Sequence, residues 1–169
     1  MENPRHLLVL GVGNVLLQDE GVGVHAVREL MKREYPPEVS IVDGGTAGLD
    51  ILYLIEEASD LIIIDATNGN AEPGTIFRFR PEELDDFIPS ISNSLHHVGL
   101  LEVLQIGRIT GVLPPTVIYG IQPAVIDWGM ELTPQLSAKL PRLVSLVEEE
   151  INNWLSRNNN QHGDPTKRE

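Results

Sequence analysis

Apolar residues along this chain fall in short unbroken runs, separated by stretches with helical spacing. Residues 6–10 (HLLVL) form a run closed by glycine, the pattern of a strand buried on both faces. From about 20 to 34, Val22, Ala26, Val27, Leu30 and Met31 recur at helical spacing, and Pro36-Pro37 ends that helix. VSIVDGG (39–45) predicts a second strand entering a glycine turn, and GLDILYLIEEA (48–58) a second helix. DLIIIDA (60–66) is the most hydrophobic run and the best candidate for a central strand. TIFRF (75–79) alternates, as an edge strand or hairpin does. PEELDDF (81–87) predicts a short helix with Pro81 in its first turn. SLHHVGLLEVLQIG (94–107) predicts a helix with two histidines near its start, and TVIYGIQP (116–123) another strand. Residues 132–155 form a long amphipathic pattern with Thr133 as N-cap, Pro134 as first helical residue and Pro141 as a kink site. From Arg157 the chain is polar and is expected to be disordered.

Strands alternating with helices predict an α/β fold of three layers, a twisted, mostly parallel sheet with helices on both faces. One domain is expected over residues 1–156, followed by the polar tail 157–169. In such sheets functional groups gather outside the carboxyl ends of the strands. The first strand there leads to Asp19-Glu20, the second ends at Asp43, the third at Asp65, and another near Gln122.

Charge narrows the partners. The 169 residues carry 12 basic and 25 acidic side chains, a net charge of -13, which argues against nucleic acid. There is no cysteine, so disulfides, thiolate metal sites and cysteine catalysis are excluded together. The N-terminus lacks the pattern of a signal peptide, and no apolar segment approaches the roughly 18 residues needed to span a membrane. A cytoplasmic protein without membrane insertion is expected.

The stretch GVGNVLLQDEGVGVHAVREL (11–30) raises the question of a phosphate-binding loop. A dinucleotide site needs G-x-G-x-x-G, but residue 16 is leucine and two carboxylates stand where a pyrophosphate would sit. No Lys-Ser or Lys-Thr follows, so the P-loop pattern fails as well. The glycines read instead as mounting: Gly11 and Gly13 permit a sharp exit from the strand, Gly21 and Gly23 close helix–sheet packing. Asp19 reads as a helix N-cap, and Glu20 alone as a first-turn acid favoured by the helix dipole.

Asp65 changes that balance. It ends a strand buried on both faces, where an acid is costly unless paired, hydrogen-bonded or bound to metal. His96 and His97 supply imidazoles near the start of a helix, pointing about 100° apart, so both do not easily serve one site. Glu20, Asp65 and a histidine make an O,O,N set suited to zinc, nickel, iron or manganese. There is no H-E-x-x-H and no G-x-S-x-G, and Ser90, Ser92 and Ser94 read as turn residues of a polar loop.

Four segments in order, LLVLGVGNVLLQDEGVGV, VDGGTAG, LIIIDAT and HHVGLLEVL, resemble the successive motifs of the nickel–iron hydrogenase maturation endopeptidases. The resemblance runs from about residue 7 to 155. It implies a twisted parallel-rich sheet between helices and an endopeptidase that removes the C-terminal extension of the hydrogenase large-subunit precursor after nickel insertion. It implies that Glu20, Asp65 and His96 form the metal and catalytic site of this carboxylate-dependent, aspartyl-type protease. The nickel would be borne by the substrate. Asp43, with Gly44, Gly45 and Thr46, would lie near the substrate. Two other readings remain at this level: a non-catalytic nickel sensor or chaperone using the same triad, and a nucleotide-binding protein on a Rossmann-like sheet.

Overall fold

A computed structural model describes residues 4–83 and 100–161 of the chain. Within them run β1 (Leu7–Val12), a short 3-10 turn (Gln18–Gly21), α1 (Val22–Leu30) and β2 (Val39–Gly45). A second 3-10 turn (Gly48–Asp50) leads into α2 (Ile51–Glu56), then β3 (Asp60–Ala66) and β4 (Ile76–Phe79). After Pro81–Glu83, also 3-10, come α3 (Leu100–Thr110), β5 (Thr116–Ile121) and α4 (Pro134–Gln161).

The strand order is β2-β1-β3-β5-β4. β1 pairs in parallel with β2 and β3, β3 in parallel with β5, and β4 closes the edge antiparallel to β5. Both faces are covered, and the alternation of side chains shows how. Leu7 and Val9 of β1, with Ile62 and Ile64 of β3, pack with α1 and α4. Leu8, Leu10, Leu61 and Ile63 pack on the other face with Ile51 and Ile55 of α2 and Leu100, Val103 and Leu104 of α3. The unbroken apolar runs thus reflect two buried faces, as the parallel reading requires. The three-layer α/β architecture expected from the sequence is the one observed.

α1 lies unusually close to the sheet. A Cβ on Gly23 would stand 2.1 Å from the Ile64 carbonyl oxygen and 2.4 Å from that of Val12. One on Gly11 would meet the Gly23 carbonyl at 2.2 Å. Two glycines facing each other let the helix start directly on the ends of β1 and β3. Gly23→Ala is therefore expected to cost more than about 3 kcal/mol, because backbone rather than a movable side chain must give way. Thermal unfolding checks this: Tm should drop by roughly 6 °C or more, whereas an unchanged Tm would show that the contact relaxes freely.

Several element ends differ from the sequence expectation. The residues before α1 and α2 are 3-10 turns rather than α-helix. α4 does not stop at residue 155 but continues through Arg157–Gln161, so the first part of the presumed tail is helical. The reason is visible on its inner face: Trp154 and, one turn on, Asn158 are both buried. Pro141 lies inside this helix on its exposed side. The predicted helix segments at 84–87 and 94–99, the serines at 90, 92 and 94, and residues 162–169 lie outside the described residues.

Candidate active site

The strand order reverses direction between β1 and β3. β1 connects through α1 to β2 on one side of it, and β3 enters on the other side. Such a switch point opens a crevice at the carboxyl ends of the two strands. Glu20 reaches it from the turn after β1, and Asp65 from the end of β3.

Asp65 is 1% exposed. Its Oδ1 accepts the Ala66 backbone N–H at 2.8 Å. Its Oδ2 is buried with no hydrogen-bond partner among the described residues. Glu20 is 7% exposed, and its charge acts on Asp65. Loss of water around the buried carboxyl pushes the Asp65 pKa well above the usual carboxylate range; the Ala66 N–H pulls it back, and Glu20 adds to the rise. An orphaned buried carboxylate oxygen near a second carboxylate suits a shared proton or a cation. Glu20 and Asp65 thus lie close enough for their charges to act on one another. The third expected member, His96, and its neighbour His97 lie outside the described residues. Among the described residues no three His, Asp, Glu or Cys side chains form a group able to hold a metal ion.

The glycines do not cradle an empty space. A Cβ on Gly13 would stand 2.1 Å from the Glu20 carbonyl oxygen, and one on Gly21 would be 2.8 Å from Val15 Cα. The loop is packed against itself, so its glycines mount the turn that carries Glu20 and leave no phosphate cradle.

Asp19 is not a cap for α1. That helix begins after Gly21, with no side-chain hydrogen bond at its N-cap. The Asp19 side chain turns instead to residues more than a hundred positions away. Its Oδ2 accepts the N–H groups of Ala124 and Val125 at 2.9 and 3.0 Å, and its Oδ1 that of Thr133 at 2.8 Å. The Thr133 hydroxyl also donates to it. Thr133 stands just before Pro134, so Asp19 pins the start of α4 to the turn bearing Glu20. Both carboxylate oxygens face backbone N–H donors, so an amide NH2 in either orientation would oppose one. Asp19→Asn should therefore lower stability by about 2–3 kcal/mol. Urea unfolding reads this as a lower midpoint with an unchanged slope; an unaltered midpoint would contradict the role.

Asp43 is exposed and held by Arg28, whose Nε and guanidinium NH2 donate to its Oδ2 at 3.2 and 3.1 Å. Its Oδ1 accepts the Gly45 N–H at 3.0 Å. Opposite Asp43 in the register stands Gly11, and the next pair is Val12 with Gly45, so Gly44 is an extra residue in β2. Thr46 follows, exposed. These four residues line the carboxyl end of β2, next to β1. Gln122, at the end of β5, braces the loop after β3: its Oε1 accepts the N–H groups of Gly69 and Ala71 at 2.8 and 3.2 Å.

The family described as hydrogenase maturation protease matches residues 24–150. The chain belongs to the hydrogenase maturation protease family. Hydrogenase expression/formation protein HupD of Bradyrhizobium diazoefficiens is 38% identical over 151 residues, covering 88% of this chain and 79% of HupD. The hydrogenase 2 maturation protease of Escherichia coli K12 is 40% identical over 138 residues, covering 79% of this chain and 83% of its own. In structure, hydrogenase maturating endopeptidase HybD from E. coli superposes with a TM-score of 0.78 at 36% identity, covering 88% of this chain and 93% of HybD. The NiFe hydrogenase maturation protease HybD from Thermococcus kodakarensis gives a TM-score of 0.71 at 27% identity, covering 85% and 97%. The chain is a hydrolase of this family.

Proposed function

We propose that this maturation protease removes the C-terminal extension of a nickel-loaded hydrogenase large-subunit precursor in the cytoplasm, with Glu20, Asp65 and His96 taking up open coordination positions on the nickel the substrate carries. The observation that carries this reading is the orphaned Oδ2 of Asp65, buried near Glu20 at the switch point. Two carboxylate oxygens and an imidazole are a donor set that nickel accepts. Held between substrate and enzyme, the metal would polarise the scissile carbonyl or a water molecule.

The chain's own carboxylates do the proton work. Burial raises the proton affinity of Asp65 above that of an ordinary carboxylate, which favours it as a proton acceptor. One carboxylate of the Glu20–Asp65 pair accepts a proton as water adds to the scissile carbonyl. The same proton then passes to the departing amine, so the C–N bond breaks with protons and charge balanced. Asp43, Gly44, Gly45 and Thr46, along the end of β2, orient the chain on one side of the scissile bond.

The experiment is an intact-mass measurement on nickel-loaded precursor before and after incubation with the protein. One cut is expected, giving a shortened large subunit and a single C-terminal fragment. An unchanged precursor mass in the presence of folded protein would overturn the reading.

A further inference from the structure

The rim beside Glu20 is made from two segments distant in sequence. Leu17 bridges to Gly129, the Gln18 N–H donates to the Gly129 carbonyl at 2.8 Å, and the Gly129 N–H to the Leu16 carbonyl at 2.9 Å. Gln18 Nε2 donates to the Trp128 carbonyl at 3.3 Å. The approach is tight: a Cβ on Gly129 would stand 2.9 Å from Gln18 Cγ, and Gln18 itself has φ +50. A non-glycine residue there is uncommon and persists only where its surroundings fix it. Asp19 fastens Ala124 and Val125 to the same turn.

This fixed ledge holds five large apolar side chains out in solvent: Leu16, Val125, Ile126, Trp128 and Met130. Trp128 is 77% exposed. Anchoring so many backbone groups in order to present apolar side chains to water makes sense only where another surface covers them. Tryptophan is among the residues that most often dominate such contacts.

We propose that this ledge is the docking surface for the folded part of the protein substrate, receiving an apolar patch of the precursor next to the tail that is cut. The inference rests on the substrate reading given above. Continuity identifies the occupant: Leu16–Gln18 runs through the anchored Asp19 directly into Glu20. A protein with its scissile bond at Glu20 and Asp65 therefore lies over the ledge. An isolated tail peptide reaches the carboxylates without covering it. The ledge thus selects a folded precursor over a peptide of the same sequence.

The test is the double variant Trp128→Ser/Met130→Ser, assayed on nickel-loaded precursor beside wild type. Both side chains are exposed, so Tm should stay within about 2 °C of wild type. The expected result is a KM raised at least about tenfold, with kcat within about twofold. Wild-type cleavage with an unchanged KM in the variant overturns the docking inference and leaves the protease reading intact. Wild type that fails to cut the precursor overturns the substrate reading and this inference with it. A wild-type dimer that becomes monomeric in the double variant, seen by sedimentation, would assign the ledge to self-association and also overturn the inference.

Discussion

Asp65→Asn is expected to give a folded, equally or more heat-resistant protein that scarcely cuts its substrate. The substitution keeps the shape, and an amide oxygen still accepts the Ala66 N–H. It removes a carboxyl that burial makes costly to ionise. The sign follows from linkage. A carboxyl whose pKa is higher in the folded state contributes stability below its unfolded pKa and loses it as pH rises through the folded value. At neutral pH the wild type therefore bears a cost from its shifted buried carboxyl that the variant lacks. Tm for Asp65→Asn should match or exceed wild type near pH 7.5, and the two should converge near pH 4. Cleavage should fall by about 10²–10⁴-fold, the usual loss when a positioned proton acceptor is removed. A capping role for Asp65 gives the reverse pattern, lower Tm with nearly normal turnover. Melting curves and single-turnover cleavage on the same samples separate the two.

Binding should also depend on what the precursor carries. In the proposed site, Glu20, Asp65 and His96 would leave a metal incompletely coordinated on their own. A nickel ion already held by the precursor can complete its shell with them, while an empty precursor offers them nothing. Loss of such ligands commonly costs several kcal/mol, and each ~1.4 kcal/mol is tenfold in affinity. Nickel-loaded precursor should therefore bind at least about a hundredfold more tightly than empty precursor. Paired titrations near pH 7.5 measure this. Equal affinities would mean that the enzyme reads peptide and surface only.

The parts of the fold set by local pattern were legible. Unbroken runs gave β1 and β3, and helical spacing gave the buried face of α4, because each depends on near neighbours in sequence. Gly23 is a packing glycine, as the sequence suggests, whereas Gly11, expected only to ease the exit from the strand, packs against the same helix. Asp65 stood out because an acid closing a run such as LIIID needs a reason to be there. Asp19 was misread. Its local context, an acid just before a helix, is that of a cap, whereas its partners at 124, 125 and 133 leave no trace in nearby sequence. The end of α4 departs from expectation because a run of asparagines suggests a tail, and only tertiary packing buries Asn158. The ledge is not legible in the sequence for the same reason: Leu16 meets Gly129, and Gln18 meets Trp128, only when the chain folds.

The central claim is that the paired carboxylates at the switch point cut the precursor only when it bears nickel. The most direct test is a time course of intact mass for loaded and empty precursor with the wild-type protein, under identical conditions. Complete loss of one C-terminal fragment from the loaded precursor is expected, while the empty precursor keeps its mass. Cleavage of both at the same rate would contradict it.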